Sequence, residues 1–233
     1  MAINNTLPDV VRQRPLPSDL EKTLDNPGQP RVSIAASKEK PDGTSSKNIP
    51  PRTVLQQHVD FFDKNGDGVI TPYGTFLGFR ELGFNLIFSL VAVAIIHGAL
   101  AYPTQDSFIP SPFFKIYTKN IHKSKHGSDQ EVYDTEGRFV PQKFEEMFSK
   151  YDLNRRNALN FWEMTDMLKG ARNAGDPFGW SAAFFEWGAL YLLVQTDGLI
   201  HKEQIRKMYD GSLFYDIAQQ RREAKSGSER KYQ

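Results

Sequence analysis

The sequence predicts a mainly α-helical protein, built of helix–loop–helix units around a central hydrophobic hairpin. Three observations predict it. The stretch DKNGDGVITPYG (Asp63–Gly74) places oxygen-bearing side chains at alternate positions before a glycine, with helical apolar patterns on both sides. The run Phe84 to Ala101 is almost wholly apolar and is followed by Pro103, Pro110 and Pro112. In the second half Phe144, Met147, Phe148 and Tyr151 recur at the spacing of one helical face.

Residues 1–50 hold no aromatic side chain, and eight of the fourteen prolines lie between Pro8 and Pro51. Such a stretch cannot bury enough apolar area to offset its ordering entropy, so it reads as a disordered arm. It carries no apolar run of the kind that marks a cleaved leader. From Arg52 the pattern changes. TVLQQHVDFF puts Val54, Leu55, His58, Val59 and Phe62 on one helical face, which leads into the loop.

The loop, within residues 51–83, is EF-hand-like. Calcium is a hard cation that takes six to eight oxygens, and Asp63, Asn65 and Asp67 supply them at loop positions 1, 3 and 5. Gly68 permits the sharp turn, Val69 offers its backbone carbonyl, and Thr71 can act directly or through water. Position 12, which ordinarily gives two oxygens from one glutamate, is Gly74. The expected site is therefore weak, of order 10⁻⁴ M or poorer, and a glutamate restored there is expected to tighten it at least about tenfold. Loops of this kind pair. DLNRRNALNFWE (Asp152–Glu163) reads as the partner, with Arg156 at position 5, where it repels an ion. Two shorter echoes, at Glu136 and Asp197, repeat an acid–Gly–x–apolar pattern before a helical run; each is equally a helix N-cap turn.

Residues 84–117 form the hydrophobic segment. About 20 apolar residues span a bilayer as a helix, and this run lies at the short edge of that range. Followed by a proline-rich turn, it fits a hairpin that enters a lipid monolayer and returns; the other reading is a buried core helix. The cations Lys115, Lys119, Lys123 and Lys125 come next and suit anionic head groups. Residues 118–216 read as a helical region, in which Phe178–Val194 is either the main core helix or a second interfacial element, the core being favoured. Residues 217–233 read as a charged flexible tail.

The net charge is +1, which argues against binding nucleic acid by phosphate neutralisation. The chain has no cysteine, which excludes disulfides, thiolate zinc sites and cysteine nucleophiles and fits a reducing, cytosolic side.

The segments QQHVDFFDKNGDGVI, GFRELGFNLI, PSPFFKIYTKNIHKSKHGSD, YDTEGRFVPQKFEEMF and YDGSLFY together resemble the caleosins, also called peroxygenases. The resemblance runs from about Ile49 to Tyr215. It implies a calcium-binding haem peroxygenase of lipid droplets and the endoplasmic reticulum membrane, facing the cytosol. Such an enzyme moves oxygen from fatty-acid hydroperoxides to unsaturated fatty acids in oxylipin metabolism. Carried over, the haem-ligating histidines are His58 and His126, with His122 on the same helical face as an alternative to the second. Independently, a haem in a chain without cysteine takes His, Tyr or Met as axial ligand. The sequence departs from the family at Gly74 and in the proline knot, where Asp106 and Lys115 replace the outer prolines. The alternative function is a non-catalytic, calcium-responsive docking protein of lipid droplets. Self-association is left open.

Overall fold

The computed structural model describes residues 34–44 and 52–230. The remainder of the N-terminal arm and residues 231–233 of the tail lie outside them. By its internal contacts the chain divides into two units. The hairpin unit takes residues 52–124, 135–137 and 208 onward; the second unit takes 34–44, 125–134 and 138–207 of the described residues. The chain is mainly helical, as expected.

In the hairpin unit, α1 (Val54–Asp60) starts at Thr53, whose side chain caps the Gln56 amide while the Gln56 side chain returns to the Thr53 amide. The loop follows, then the short strand β1 (Val69–Ile70) and α2 (Pro72–Leu82), which ends at the left-handed Gly83. Asn85 caps α3 (Leu86–Thr104). After a return segment, β2 (Ile116–Tyr117) pairs antiparallel with β1, Val69 opposite Tyr117 and Ile70 opposite Ile116. A 3-10 helix follows over Thr118–Ser124.

Helix α3 is inverted relative to a soluble helix. Its buried residues are Ser89, His97, Ala101 and Thr104, while Ile87 is 74% exposed, Leu86 55% and Val91 51%. It is long and apolar enough to cross a membrane by length and composition. The return segment continues the apolar surface with Phe108, Ile109 and Phe113, all exposed. Gln105 holds the turn: its Nε2 donates to the carbonyls of Ser107 (2.7 Å) and Ile109 (2.9 Å), and its Oε1 accepts from the Ser111 amide (3.1 Å). Asp106, where the resemblance implies a proline, pairs with Lys119 and Asn120. Side-chain hydrogen bonds thus bind this turn.

The second unit is made of α4 (Pro141–Tyr151), β3 (Ala158–Asn160), α5 (Phe161–Gly170), α6 (Pro177–Val194), β4 (Leu199–His201) and α7 (Lys202–Tyr209), whose last residues count with the hairpin unit. The expected α4 face is buried at Phe144, Met147, Phe148 and Tyr151. β3 pairs with β4, Leu159 opposite Ile200. The expected pairing of Asp63–Gly74 with Asp152–Glu163 is therefore replaced. The first loop pairs with Ile116–Tyr117, and the second with the echo at Asp197, each within its own unit. A two- or three-residue ladder needs only an extended backbone opposite it, so ligand pattern does not choose the partner. Helix α6 answers both readings given to it. Gly179, Ala183, Trp187, Leu190 and Val194 form a buried stripe, while Phe178, Phe184, Phe185 and Leu192 are exposed.

Two stretches differ from the compositional reading. Within the arm, Ala35 and Ala36 are fully buried. The Arg206 guanidinium donates to the Ala35 carbonyl and to Thr44 Oγ1 (both 2.8 Å), and Lys202 Nζ sits 2.6 Å from Glu39 and 2.9 Å from Glu145. The buried cations of α7 need partners; residues 34–44 supply some of them, and Glu145 and Glu203 supply others. In the tail, α8 (Ser212–Arg230) runs through most of 217–233, with an i,i+4 contact between Gln219 and Glu223. Phe214 of α8 packs on Phe61 and Phe62 at ring separations of 5.7 and 5.6 Å.

Candidate functional site

The Asp63–Gly74 loop is organised by its own carboxylates. Asp63, nearly buried, accepts the Gly66 amide on Oδ1 (3.0 Å) and the Gly68 amide on Oδ2 (2.8 Å). Asp67 accepts the Val69 amide (2.8 Å) and the Asn65 side-chain amide (2.9 Å). Gly66 and Gly68 have φ of +70° and +84°, the left-handed region that this tight turn requires. Thr71 is the N-cap of α2, its Oγ1 accepting the Gly74 amide (3.0 Å). The donor set is oxygen only with two carboxylates, which fits a hard cation held weakly. Among the described residues no three His, Asp or Glu side chains group as a metal centre.

Gly74 is more than a missing ligand. A Cβ there falls 2.7 Å from the Phe62 carbonyl oxygen and 3.4 Å from Thr71 Oγ1. The end of α1 closes down on this glycine, so an acid at position 74 must displace backbone. Part of the gain expected from a restored glutamate is therefore expected to be lost to packing.

The second loop carries its own cation. Asp152 accepts the amides of Arg156 (3.0 Å) and Asn157 (2.8 Å), and the Arg156 guanidinium lies 2.5 Å from buried Glu163 Oε2. The guanidinium takes the charge that an ion would otherwise neutralise.

His58 lies on α1. Its Nδ1 is 2.7 Å from the Met208 carbonyl, which only accepts; Nδ1 therefore carries a proton, and in the neutral ring the lone pair is on Nε2. Phe214 packs edge-on to the ring at 5.2 Å and 69°. A neutral imidazole whose other ring nitrogen donates to a carbonyl is the arrangement found behind metal-ligating histidines, so this residue could hold a haem.

His126 belongs to the second unit, in the segment after the 3-10 helix; the helical face shared with His122 is not formed, because that helix ends at Ser124. Its side chain is 10% exposed, and Nε2 lies 3.6 Å from Glu186 Oε2, an ion-pair contact rather than a hydrogen bond. The Glu186 carboxylate holds its pKa above the ordinary histidine value against the opposing effect of burial, with Asp129 and Asp176 adding to the rise. Nδ1 is buried with no hydrogen-bond partner among the described residues. An unpaired buried nitrogen costs about 1–3 kcal/mol, which fits a ring that takes an external ligand. The structure assigns His58 and His126 to different units.

Sequence reasoning passed over His97, which interrupts the apolar run Phe84–Ala101. It is 3% exposed; its Nδ1 donates to the Phe114 carbonyl (2.6 Å) and its Nε2 accepts from Thr75 Oγ1 (2.8 Å). It ties α2 and the return segment to α3. A histidine inside a run this apolar was the available signal.

A family model described as caleosin-related protein matches residues 51–218. The chain is 43% identical over 213 residues to a peroxygenase of Lilium longiflorum, covering 91% of this chain and 89% of that protein. It is 44% identical over 180 residues to probable peroxygenase 4 of Arabidopsis thaliana, covering 76% and 92%. A probable inactive peroxygenase-like protein of Arabidopsis thaliana is 34% identical over 149 residues, covering 64% and 72%. No solved structure matches.

Proposed function

Because this chain belongs to the caleosin family, we propose that it is a haem-dependent peroxygenase acting on fatty-acid hydroperoxides at a lipid surface, with calcium held in the Asp63–Gly74 loop. The observation that carries this reading is the 43% identity, over 91% of the chain, to a protein named peroxygenase. The tautomer of His58 and the unpaired nitrogen of His126 support it.

In this reading the haem is held by a histidine, His58 or His126. Bound there, the haem supplies cleavage of a lipid hydroperoxide O–O bond and transfer of that oxygen to an unsaturated fatty acid. The rest is the work of the chain. The Met208 carbonyl keeps the proton on His58 Nδ1, so Nε2 stays basic. The exposed apolar residues of α3 and α6 meet acyl chains, and α3 with its return segment inserts as a hairpin into the phospholipid monolayer of a lipid droplet or the endoplasmic reticulum membrane. Asp63, Asn65, Asp67, Val69 and Thr71 supply oxygens to calcium, and ordering of the loop stiffens α1 and with it His58.

The test is turnover of a fatty-acid hydroperoxide by the purified full chain reconstituted with haem. Activity lost in His58→Ala and His126→Ala is the expected result; a chain that takes up no haem, with no Soret band, overturns the reading. A second reading, a non-catalytic calcium-responsive droplet protein, has the relative named inactive peroxygenase-like in its favour. It predicts no turnover and droplet binding that survives both histidine substitutions.

A further inference from the structure

We propose that the turn Met208–Gly211 is a built-in positioning element for His58, and that residue 211 is glycine because of that role. The proposal rests on the reading of His58 as a haem ligand. The Met208 carbonyl accepts two hydrogen bonds, from the Gly211 amide (3.0 Å) and from His58 Nδ1 (2.7 Å). The same oxygen therefore closes the turn and orients the imidazole. The turn reaches His58 only because residue 211 lacks a side chain. A Cβ at 211 falls 2.6 Å from the Gln57 carbonyl, 2.9 Å from His58 Cα and 3.0 Å from the His58 carbonyl. The residue also has φ +75°, in the region that favours glycine. Two independent features, space and backbone conformation, thus make residue 211 a glycine at the place where the chain meets His58. Phe214, a few residues on, sets the ring plane by its edge contact.

A carbonyl in this position does more than anchor the ring. It selects the tautomer whose lone pair is on Nε2, and by polarising the Nδ1–H bond it raises the basicity of Nε2. A neutral histidine without such a partner samples both tautomers, and only one of them offers Nε2 to iron. Met208 acts through its backbone, so its side chain is irrelevant to the effect; Gly211 acts by permitting the approach. Both are positioning residues and neither touches substrate.

The tautomer is measurable without haem. The full chain, ¹⁵N-labelled at histidine and held in lipid nanodiscs, is examined by long-range ¹H–¹⁵N correlation above the histidine pKa, at about pH 8.5. His58→Gln identifies the His58 signals. The expected result is a His58 ring protonated on Nδ1, favoured by about tenfold over the other form. A ring protonated on Nε2, or an even mixture, overturns the proposal. Gly211→Ala, which pushes the turn away, is expected to reduce the preference several-fold with helix content by circular dichroism unchanged; an undiminished preference in a folded variant refutes the role of glycine. If that variant does not fold, the ratio in the unsubstituted chain still decides. Haem is then titrated into the same samples. The expected tautomer with no Soret band sinks the haem reading and leaves the positioning turn standing, whereas a Soret band with the opposite tautomer sinks the turn and leaves the haem.

Discussion

Gly74 is the position where sequence logic and packing pull in opposite directions, and a pair of substitutions separates them. Gly74→Ala adds only a Cβ; Gly74→Glu adds the same Cβ and a carboxylate. The Cβ falls 2.7 Å from the Phe62 carbonyl oxygen, so that oxygen must retreat by about 0.5 Å or more to reach an ordinary contact. The retreat is resisted, because the Phe62 amide is bonded to the Val59 carbonyl at the end of α1 (3.0 Å) and Phe62 packs on Phe79 and Phe214. Overpacking of this kind costs about 1–3 kcal/mol. Better helix propensity returns at most about 1 kcal/mol. Gly74→Ala is therefore expected to lower the stability of the full chain by about 1 kcal/mol and to weaken calcium binding, because the displaced end of α1 disturbs the loop. The carboxylate is isolated by comparing the two variants, since both bear the Cβ. Gly74→Glu is expected to bind calcium about tenfold, or 1.4 kcal/mol, more tightly than Gly74→Ala, yet to gain less than that over the natural chain. Calorimetric titration gives the affinities and denaturant melts the stabilities. A neutral or stabilising Gly74→Ala would falsify the packing account. Micromolar calcium binding by the natural chain would show that another group serves the twelfth position.

Three further outcomes are expected. Val91, half-exposed on α3, lies on the face assigned to lipid; Val91→Asp is expected to move the protein into the soluble fraction on flotation, since a buried charge there costs about 2.5–3.5 kcal/mol. His97→Leu leaves the Phe114 carbonyl and the Thr75 hydroxyl without their partner, for an expected loss of about 2–4 kcal/mol in denaturant melts; an unchanged midpoint refutes the tie between α2 and α3. Burial raises the Glu39 pKa, but its hydrogen bond and charge contact with Lys202 outweigh that and leave it below the ordinary 4.5. A depressed carboxyl stabilises the folded chain above its unfolded value and loses that contribution as pH falls through the folded one. Protease cutting within 34–44 should therefore rise as pH drops below 4.5, and Glu39→Gln should flatten the profile.

The sequence by itself determined the helices and the turn of the first loop. Phe144, Met147, Phe148 and Tyr151 announce the buried face of α4, because a helix repeats its faces at a fixed spacing and burial follows apolar character. Asp63, Asp67 and Gly68 announce the loop, because few residues other than glycine reach the left-handed region and carboxylates close by bind the freed amides. The same run of letters also carried the family resemblance that the family match bears out. What only the tertiary structure decided is what meets what. The partner of β1 is Ile116–Tyr117 rather than the second loop, and any short extended stretch can fill that place. The apolar run Phe84–Ala101 reads as a lipid hairpin or as a core helix, and only the folded chain shows Leu86, Ile87, Leu90 and Ile95 exposed with Ser89 and His97 buried. His58 is held by the Met208 carbonyl, 150 residues away, and Gly74 is pressed by the Phe62 carbonyl. A backbone carbonyl is the same group on every residue. No side-chain pattern can mark which one will be brought against a histidine or a glycine; only the path of the folded chain does that.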